Sequence, residues 1–122
     1  MSTDFIYFNS RDELLRVNIS QIVYFEADGN YTHFVLPNKL KGSIGINLAQ
    51  TEKALSSRLG EKSRSFARIG KRYIINLKYI YQINVLKQRL VLSDGVHFAF
   101  QLEVSKEALK NLKDIYVSTK ID

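Results

Sequence analysis

Hydrophobic and polar residues alternate in short runs along most of the chain, and turn residues separate these runs at short intervals. Alternation with a period of two places successive side chains on opposite faces of a strand, so it indicates strands that bury one face. Many of the apolar positions are Ile, Val, Phe or Tyr, which favour strands. We therefore expect a mostly β fold. The predicted strands cover residues 5–9, 14–18, 22–27, 31–36, 39–46, 66–69, 73–77, 79–86, 90–92 and 96–100.

Two of the turns combine glycine with Asp or Asn. Residues 28–30 read Asp-Gly-Asn and residues 93–95 read Ser-Asp-Gly, in each case between two apolar runs. Glycine beside Asp or Asn is typical of a tight β-hairpin turn, because glycine readily adopts the positive φ angle that such turns need. Each pair of flanking runs is therefore predicted to form an antiparallel hairpin.

Two segments have helical spacing instead. Asn47 precedes the first, and Gln50 follows three residues later, which is the arrangement of a capping box. Gly60 is a suitable residue to end this helix. Ser105 is the predicted N-cap of a final helix. The side chains expected to face inward are Leu48, Thr51, Leu55 and Leu59 in the first helix, and Ala108, Leu109, Leu112 and Ile115 or Tyr116 in the second.

The length of 122 residues fits one domain, and a hydrophobic content of 45% is sufficient for a core. We expect a single domain over residues 1–117 and a flexible C-terminal tail over 118–122. No apolar run has the length of a membrane span or of a signal sequence, and the chain has no cysteine. These features predict a cytoplasmic protein without a membrane partner.

Charge is distributed unevenly. The net charge is +6, but residues 62–113 alone hold 11 basic and three acidic side chains, an excess of eight. A basic field on part of a small domain attracts polyanions, and nucleic acid is the commonest polyanion in a cell. The alternative is a solvated basic face that has no partner.

Catalytic and metal-binding patterns are missing from the sequence. The two histidines, His33 and His97, fall on separate predicted hairpins, and a metal site needs several converging ligands. The sequence contains neither a nucleophile elbow nor a glycine-rich phosphate loop. We therefore expect no enzyme activity, metal, cofactor or small-molecule substrate.

Three motifs, in this order and spacing, resemble the LytTR DNA-binding domain. Residues 22–32 (IVYFEADGNYT) are similar to the opening hairpin of that family. Residues 66–80 (FARIGKRYIINLKYI) are similar to its signature "F-x-R-[VI]-H-[RK]-S-[YF]-[IL]-[VI]-N". Residues 90–95 (LVLSDG) with 104–106 (VSK) match the family's "L-x-[NDG]-G … P-V-S-R". The resemblance covers nearly the whole chain.

This resemblance implies an elongated, mostly β domain with several small antiparallel sheets, one central short helix and a C-terminal helix. It also implies a transcriptional regulator of bacterial type, related to response regulators, that reads the major groove of repeated promoter half-sites through loops. The implied partners are double-stranded DNA and a second copy on a tandem half-site.

The resemblance also assigns candidate contacts. The base-contact candidates are Thr32, Lys71 and Lys106. The phosphate-contact candidates are Asn30, His33, Arg68 and Arg72, together with Arg64 from the same basic segment. Lysine can donate to guanine O6 and N7, so Lys71 and Lys106 are chemically suited to the major groove. Where many relatives have His, Ser and Arg, this chain has Gly70, Arg72 and Lys106, so its target sequence is expected to differ.

Two other functions remain open on the sequence alone. A single-stranded nucleic-acid binder would need several aromatic side chains exposed on one sheet face, with Tyr31, Tyr79 and Tyr81 as candidates. A protein-interaction module would use a sheet edge or a helix as its contact surface and would not bind DNA.

Overall fold

A computed structural model of the protein describes residues 5–116. As the alternation predicts, this part of the chain is mostly β. The strands are β1 (Phe5–Asn9), β2 (Leu14–Asn18), β3 (Tyr24–Asp28), β4 (Tyr31–Val35), β5 (Lys41–Ile44), β6 (Phe66–Ile69), β7 (Tyr73–Asn76), β8 (Ile80–Asn84), β9 (Arg89–Ser93) and β10 (Ala99–Glu103). The helices are α1 (Leu48–Leu59) and α2 (Lys106–Asp114).

The strands form three small antiparallel sheets, as expected. The chain divides into two compact units, with the boundary between Leu77 and Lys78. The first unit contains the two-stranded sheet β1-β2 and a five-stranded sheet in the order β5-β4-β3-β7-β6. The second unit contains a three-stranded sheet in the order β10-β9-β8. All of the strand pairs are antiparallel.

Helix α1 packs against one face of the five-stranded sheet. Phe25 and Phe34 of the sheet and Leu48 and Leu55 of the helix are buried in one apolar cluster. The predicted capping box begins this helix: the Asn47 side chain accepts from the Gln50 amide at 2.8 Å, and the Gln50 side chain accepts from the Asn47 amide at 2.9 Å. Glu26 and His33, which alternate with Phe25 and Phe34 along β3 and β4, therefore lie on the other face of the sheet.

In the second unit, α2 begins at the predicted cap, where the Ala108 amide donates to the Ser105 hydroxyl at 3.3 Å. Leu109 and Leu112 of this helix are buried, whereas Ile115 is exposed. Lys106, the first residue of α2, is also exposed.

The second predicted hairpin needs a correction. Its return strand begins at Ala99 and not at residue 96, because residues 94–98 form a longer loop. The Asp94 carboxylate accepts from the amides of Val96 at 2.9 Å and His97 at 2.7 Å. The Ser93 hydroxyl closes the loop by donating to the Phe98 carbonyl at 2.6 Å. These side-chain bonds replace the backbone pairing that a tight turn would allow.

Within residues 5–116, no helix is long and apolar enough to cross a membrane. The predicted tail over 118–122 lies outside the described residues, and the single domain over 1–117 stays a prediction.

Candidate nucleic-acid interface

Two turns lie side by side at one end of the five-stranded sheet. The first, Gly29-Asn30, joins β3 to β4, and the second, at residues 70–72, joins β6 to β7. Because β3 and β7 are antiparallel neighbours, the end of β3 meets the start of β7, with Glu26 opposite Tyr73. The Ala27 amide also donates to the Arg72 carbonyl at 2.8 Å. We refer to these two turns together as the paired turns.

Lys71 lies at the middle of the second turn and is exposed. The turn is anchored on both sides by buried residues, Ile69 and Tyr73, which are opposite each other in the strand pair. Gly70 has a φ angle of 60°, which a residue with a side chain adopts only at a cost. The lysine is therefore held on a short turn whose backbone conformation is well determined.

Arg72 is next to Lys71 but is bonded back to the sheet. Its Nη2 lies 3.1 Å from Glu26 Oε2, and its Nε donates to the same oxygen at 3.2 Å. Its guanidinium also lies 5.4 Å from the centre of the Tyr73 ring. Glu26 further raises the pKa of the Tyr24 hydroxyl, although burial is the larger cause.

In the first turn Asn30 is exposed, and on the following strand β4 His33 is partly buried. His33 Nε2 lies 2.6 Å from Asp28 Oδ2, and His33 Nδ1 lies 2.7 Å from Ser43 Oγ. Both ring nitrogens therefore have partners in the protein, and His33 could contact a phosphate only by exchanging one of them.

Thr32 requires a correction. Its side chain is completely buried, at 0% exposure, on the face of the sheet that α1 covers. Its hydroxyl donates to the Ile46 carbonyl at 2.8 Å and accepts from the Thr51 hydroxyl at 3.2 Å. A side chain with no exposed surface and a fully used hydroxyl cannot reach a base edge, so the prediction of a base contact at Thr32 is wrong for this structure.

The two remaining arginine candidates of the first unit differ from each other. Arg64 is exposed in the 3-10 segment Gly60–Ser65. Arg68 lies on β6, and its Nη1 is 3.4 Å from Glu52 Oε1 of α1. Arg64 is thus the more accessible of the two.

Lys106 belongs to the second unit, where it is the exposed first residue of α2. In the same unit, the hydrogen bond from the Val96 amide is the largest influence on the Asp94 carboxylate and lowers its pKa. Desolvation opposes this effect, and hydrogen bonds from His97 and Phe98 lower the pKa further. Lys106 carries the only candidate contact of this unit.

The structure therefore brings three of the sequence-predicted residues, Asn30, Lys71 and Arg72, to the paired turns, and it places His33 on the adjoining strand β4. Sequence reasoning missed the residues that bond to two of these candidates, namely Glu26 for Arg72, and Asp28 and Ser43 for His33. The signal for Asp28 was available, because counting outward from the Gly29-Asn30 turn puts Glu26 opposite His33 and therefore Asp28 on the same face of the sheet as His33.

Within residues 5–116, no three His, Cys, Asp or Glu side chains are grouped closely enough to hold a metal ion. The paired turns offer a set of hydrogen-bond donors at one end of the sheet, which suits an anionic or polar surface.

A family model of the LytTr DNA-binding domain matches residues 12–116 of the chain. The fold is similar to a solved structure of the LytTr DNA-binding domain of a protein described as a methyl-accepting/DNA response regulator from Bacillus cereus, with a TM-score of 0.63 and 19% identity over 95% of this chain and 99% of that chain. No curated protein matches the chain.

Proposed function

The chain belongs to the LytTR family of DNA-binding domains, and we propose that it serves a transcriptional regulator by reading the major groove of double-stranded DNA in a sequence-specific manner. The observation that carries this proposal is the pair of turns, which presents Lys71 and Asn30 as exposed donors at one end of a rigid sheet. Lysine donates to guanine O6 and N7, the acceptors that the major groove displays.

Roles are assigned to the residues by their exposure and their partners. Lys71 and Lys106 are the proposed base contacts, because both are exposed lysines that form no ion pair within the described residues. Asn30 and Arg64, which are exposed, are proposed to contact phosphates, which fix the register of the protein on the duplex without reading sequence. Arg68 is proposed as a secondary phosphate contact, because Glu52 lies 3.4 Å from its Nη1.

The target is proposed to be a repeat of half-sites in a promoter. Two half-sites about one helical turn apart, roughly 10 to 10.5 bp, would place two copies of the protein on the same face of the duplex. Such a protein would act in the cytoplasm of a bacterial cell, where its DNA lies.

A selection from random duplex DNA at about 150 mM salt tests this function, because screening at that salt weakens binding that is only electrostatic. We expect enrichment of a repeated motif, with a spacing that gives the distance between half-sites. Absence of any enriched motif, with binding that disappears as salt rises, would contradict sequence-specific reading.

The single-stranded alternative is less well supported. Tyr31 and Tyr81 are exposed, at 58% and 69%, but they lie on different sheets in different units. Tyr79 packs edge-on against Phe98, with ring centres 5.2 Å apart. No single sheet of the described residues thus presents the row of aromatic side chains that base stacking needs. Competition by single strands in the same experiment would favour that alternative.

A further inference from the structure

A carboxylate on β3 restrains the cation that lies beside the proposed reading residue. Glu26 Oε2 accepts both the Nε and the Nη2 of Arg72, at 3.2 and 3.1 Å. The Glu26 side chain is 25% exposed and the Arg72 side chain is 65% exposed. The carboxylate is therefore the more enclosed partner, and it ties the longer and more exposed side chain to the sheet.

A second carboxylate of β3, Asp28, lies two residues further along the strand and bonds to the His33 side chain. Asp28 lies 2.6 Å from His33 Nε2, and Glu26, Asp28 and His33 share the face of the sheet that α1 does not cover. Lys71 differs from Arg72 and His33, since Lys71 forms no ion pair within the described residues. At the paired turns, Lys71 therefore has no ion-pair partner among the described residues, whereas Glu26 holds the adjacent Arg72.

The consequence for DNA binding follows from the two kinds of contact. Cations that neutralise phosphates strengthen binding to every sequence, whereas contacts to base edges strengthen binding to the correct sequence only. An arginine held by a carboxylate contributes less to the first kind. Holding Arg72 therefore lowers the affinity for wrong sequences without touching the contact made by Lys71.

We propose that Glu26 is a specificity-determining residue, which keeps Arg72 from making a sequence-independent phosphate contact. This inference rests on the proposed function, because it assumes that the paired turns face the duplex. Glu26 acts through Arg72 and is thus a positioning residue.

The test compares the wild type with Glu26→Gln on two duplexes of equal length, the selected motif and a scrambled version, over a range of salt concentrations. Released from its partner, Arg72 gains a phosphate, so the log–log salt slope on the scrambled duplex steepens by about 0.9. Affinity for the scrambled duplex rises several-fold, and the preference for the selected motif falls. An unchanged slope would overturn the proposal.

Two further variants separate this effect from total charge and from folding. Glu13→Gln removes one negative charge at an exposed residue of the β1–β2 turn that forms no described ion pair, so it serves as the matched control. A slope that steepens equally in Glu13→Gln would reject a specific role for Glu26. Glu26→Asp keeps the charge but shortens the side chain, and we expect a steeper slope there too, which keeps the test decisive if Glu26→Gln does not fold.

Arg72→Gln completes a double-mutant cycle. If Glu26 already keeps Arg72 away from phosphate, this change alone should leave the salt slope on the scrambled duplex nearly unaltered. Added to Glu26→Gln, it should cancel the increase. If Arg72→Gln alone reduced the slope by about 0.9, Arg72 would already be a phosphate contact and the proposal would be wrong.

The two levels of proposal fail in different ways. If no motif is enriched by the wild type, sequence-specific reading is wrong, whereas the slopes on an arbitrary duplex still decide whether Glu26 restrains Arg72. If a motif is enriched and the slopes of Glu26→Gln and Glu13→Gln agree, only the role of Glu26 is wrong.

Discussion

Polar side chains inside the five-stranded sheet are bonded to the protein itself, whereas Asn30 and Lys71 at its paired turns remain accessible. Asn76 is 1% exposed, and its amide group donates to the Ile22 carbonyl at 2.9 Å. Thr32 is fully buried between the Ile46 carbonyl and the Thr51 hydroxyl. Lys71, by contrast, is exposed on its turn. A polar side chain whose partners all lie in the chain specifies the fold, and one left without partners is available to another molecule.

Among the buried polar side chains, we expect the largest effect from Asn76→Ala. This change leaves the buried Ile22 carbonyl without its side-chain donor, so we expect the free energy of unfolding to fall by about 2–3 kcal/mol. Urea denaturation measures this. The DNA motif selected by the folded protein should stay the same. A changed motif with unaltered stability would show that Asn76 contacts DNA and is not needed for the fold.

Lys71→Ala tests an exposed polar side chain of the paired turns. We expect a loss of about 1–2 kcal/mol in binding to the selected duplex, a smaller loss on scrambled DNA, and a stability within about 0.5 kcal/mol of the wild type. Titrations on both duplexes measure the difference.

Arg64→Ala is the matched control, since it removes one exposed cation at a proposed phosphate contact. It should weaken both duplexes alike and reduce the salt slope by about 0.9. Equal losses on the two duplexes for Lys71→Ala as well would reject base reading by that lysine.

Thr32→Val tests a position where the resemblance and the structure disagree. Loss of the hydroxyl leaves the Ile46 carbonyl without a donor, so we expect a destabilisation of about 1 kcal/mol and no change in DNA preference. Thr32→Ser, which keeps the hydroxyl, should retain the hydrogen bond. A shifted DNA motif in Thr32→Val would restore Thr32 as a contact.

The smallest effect is expected at Asp94, a charge in the second unit that is turned toward its own loop. Its folded-state pKa is lowered, so its contribution to stability is present above its ordinary pKa, near 4, and is lost as the pH falls through the lowered value. Asp94→Asn should be less stable than the wild type at pH 7, and the difference should narrow below about pH 4. Denaturation at a series of pH values measures it, and a constant difference would contradict the assignment.

Local chemistry explains how much of the fold the sequence predicts. Asn47 and Gln50 form the expected capping box because both partners are three residues apart. The loop after Ser93 was predicted too short, since the Asp94-Gly95 pair is typical of tight turns and gives no sign that the Asp94 carboxylate would accept from three amides further along.

The site was predictable in part for a similar reason. Lys71 follows a glycine between two apolar runs, and this pattern identifies it as a turn residue. Thr32 was assigned by position in a family motif, although strand alternation puts it on the same face as Phe34, which the core contains. The pairing of Glu26 with Arg72 depends on β3 lying beside β7, and no local pattern reveals which distant strands become neighbours.

The contact between Glu26 and Arg72 also has a consequence for the order of events during folding, because the two residues are 46 positions apart in sequence. The β3–β4 hairpin needs only local contacts, whereas β7 is made after β5, α1 and β6, and pairing over such a separation costs more loop entropy and is slower. A chain that emerges N-terminus first already carries Arg64 and Arg68 before β7 exists. We therefore expect an incomplete chain to attract nucleic acid by charge before it can discriminate between sequences, and we expect the part of that discrimination that depends on Glu26 and Arg72 to appear only after β7 has paired with β3.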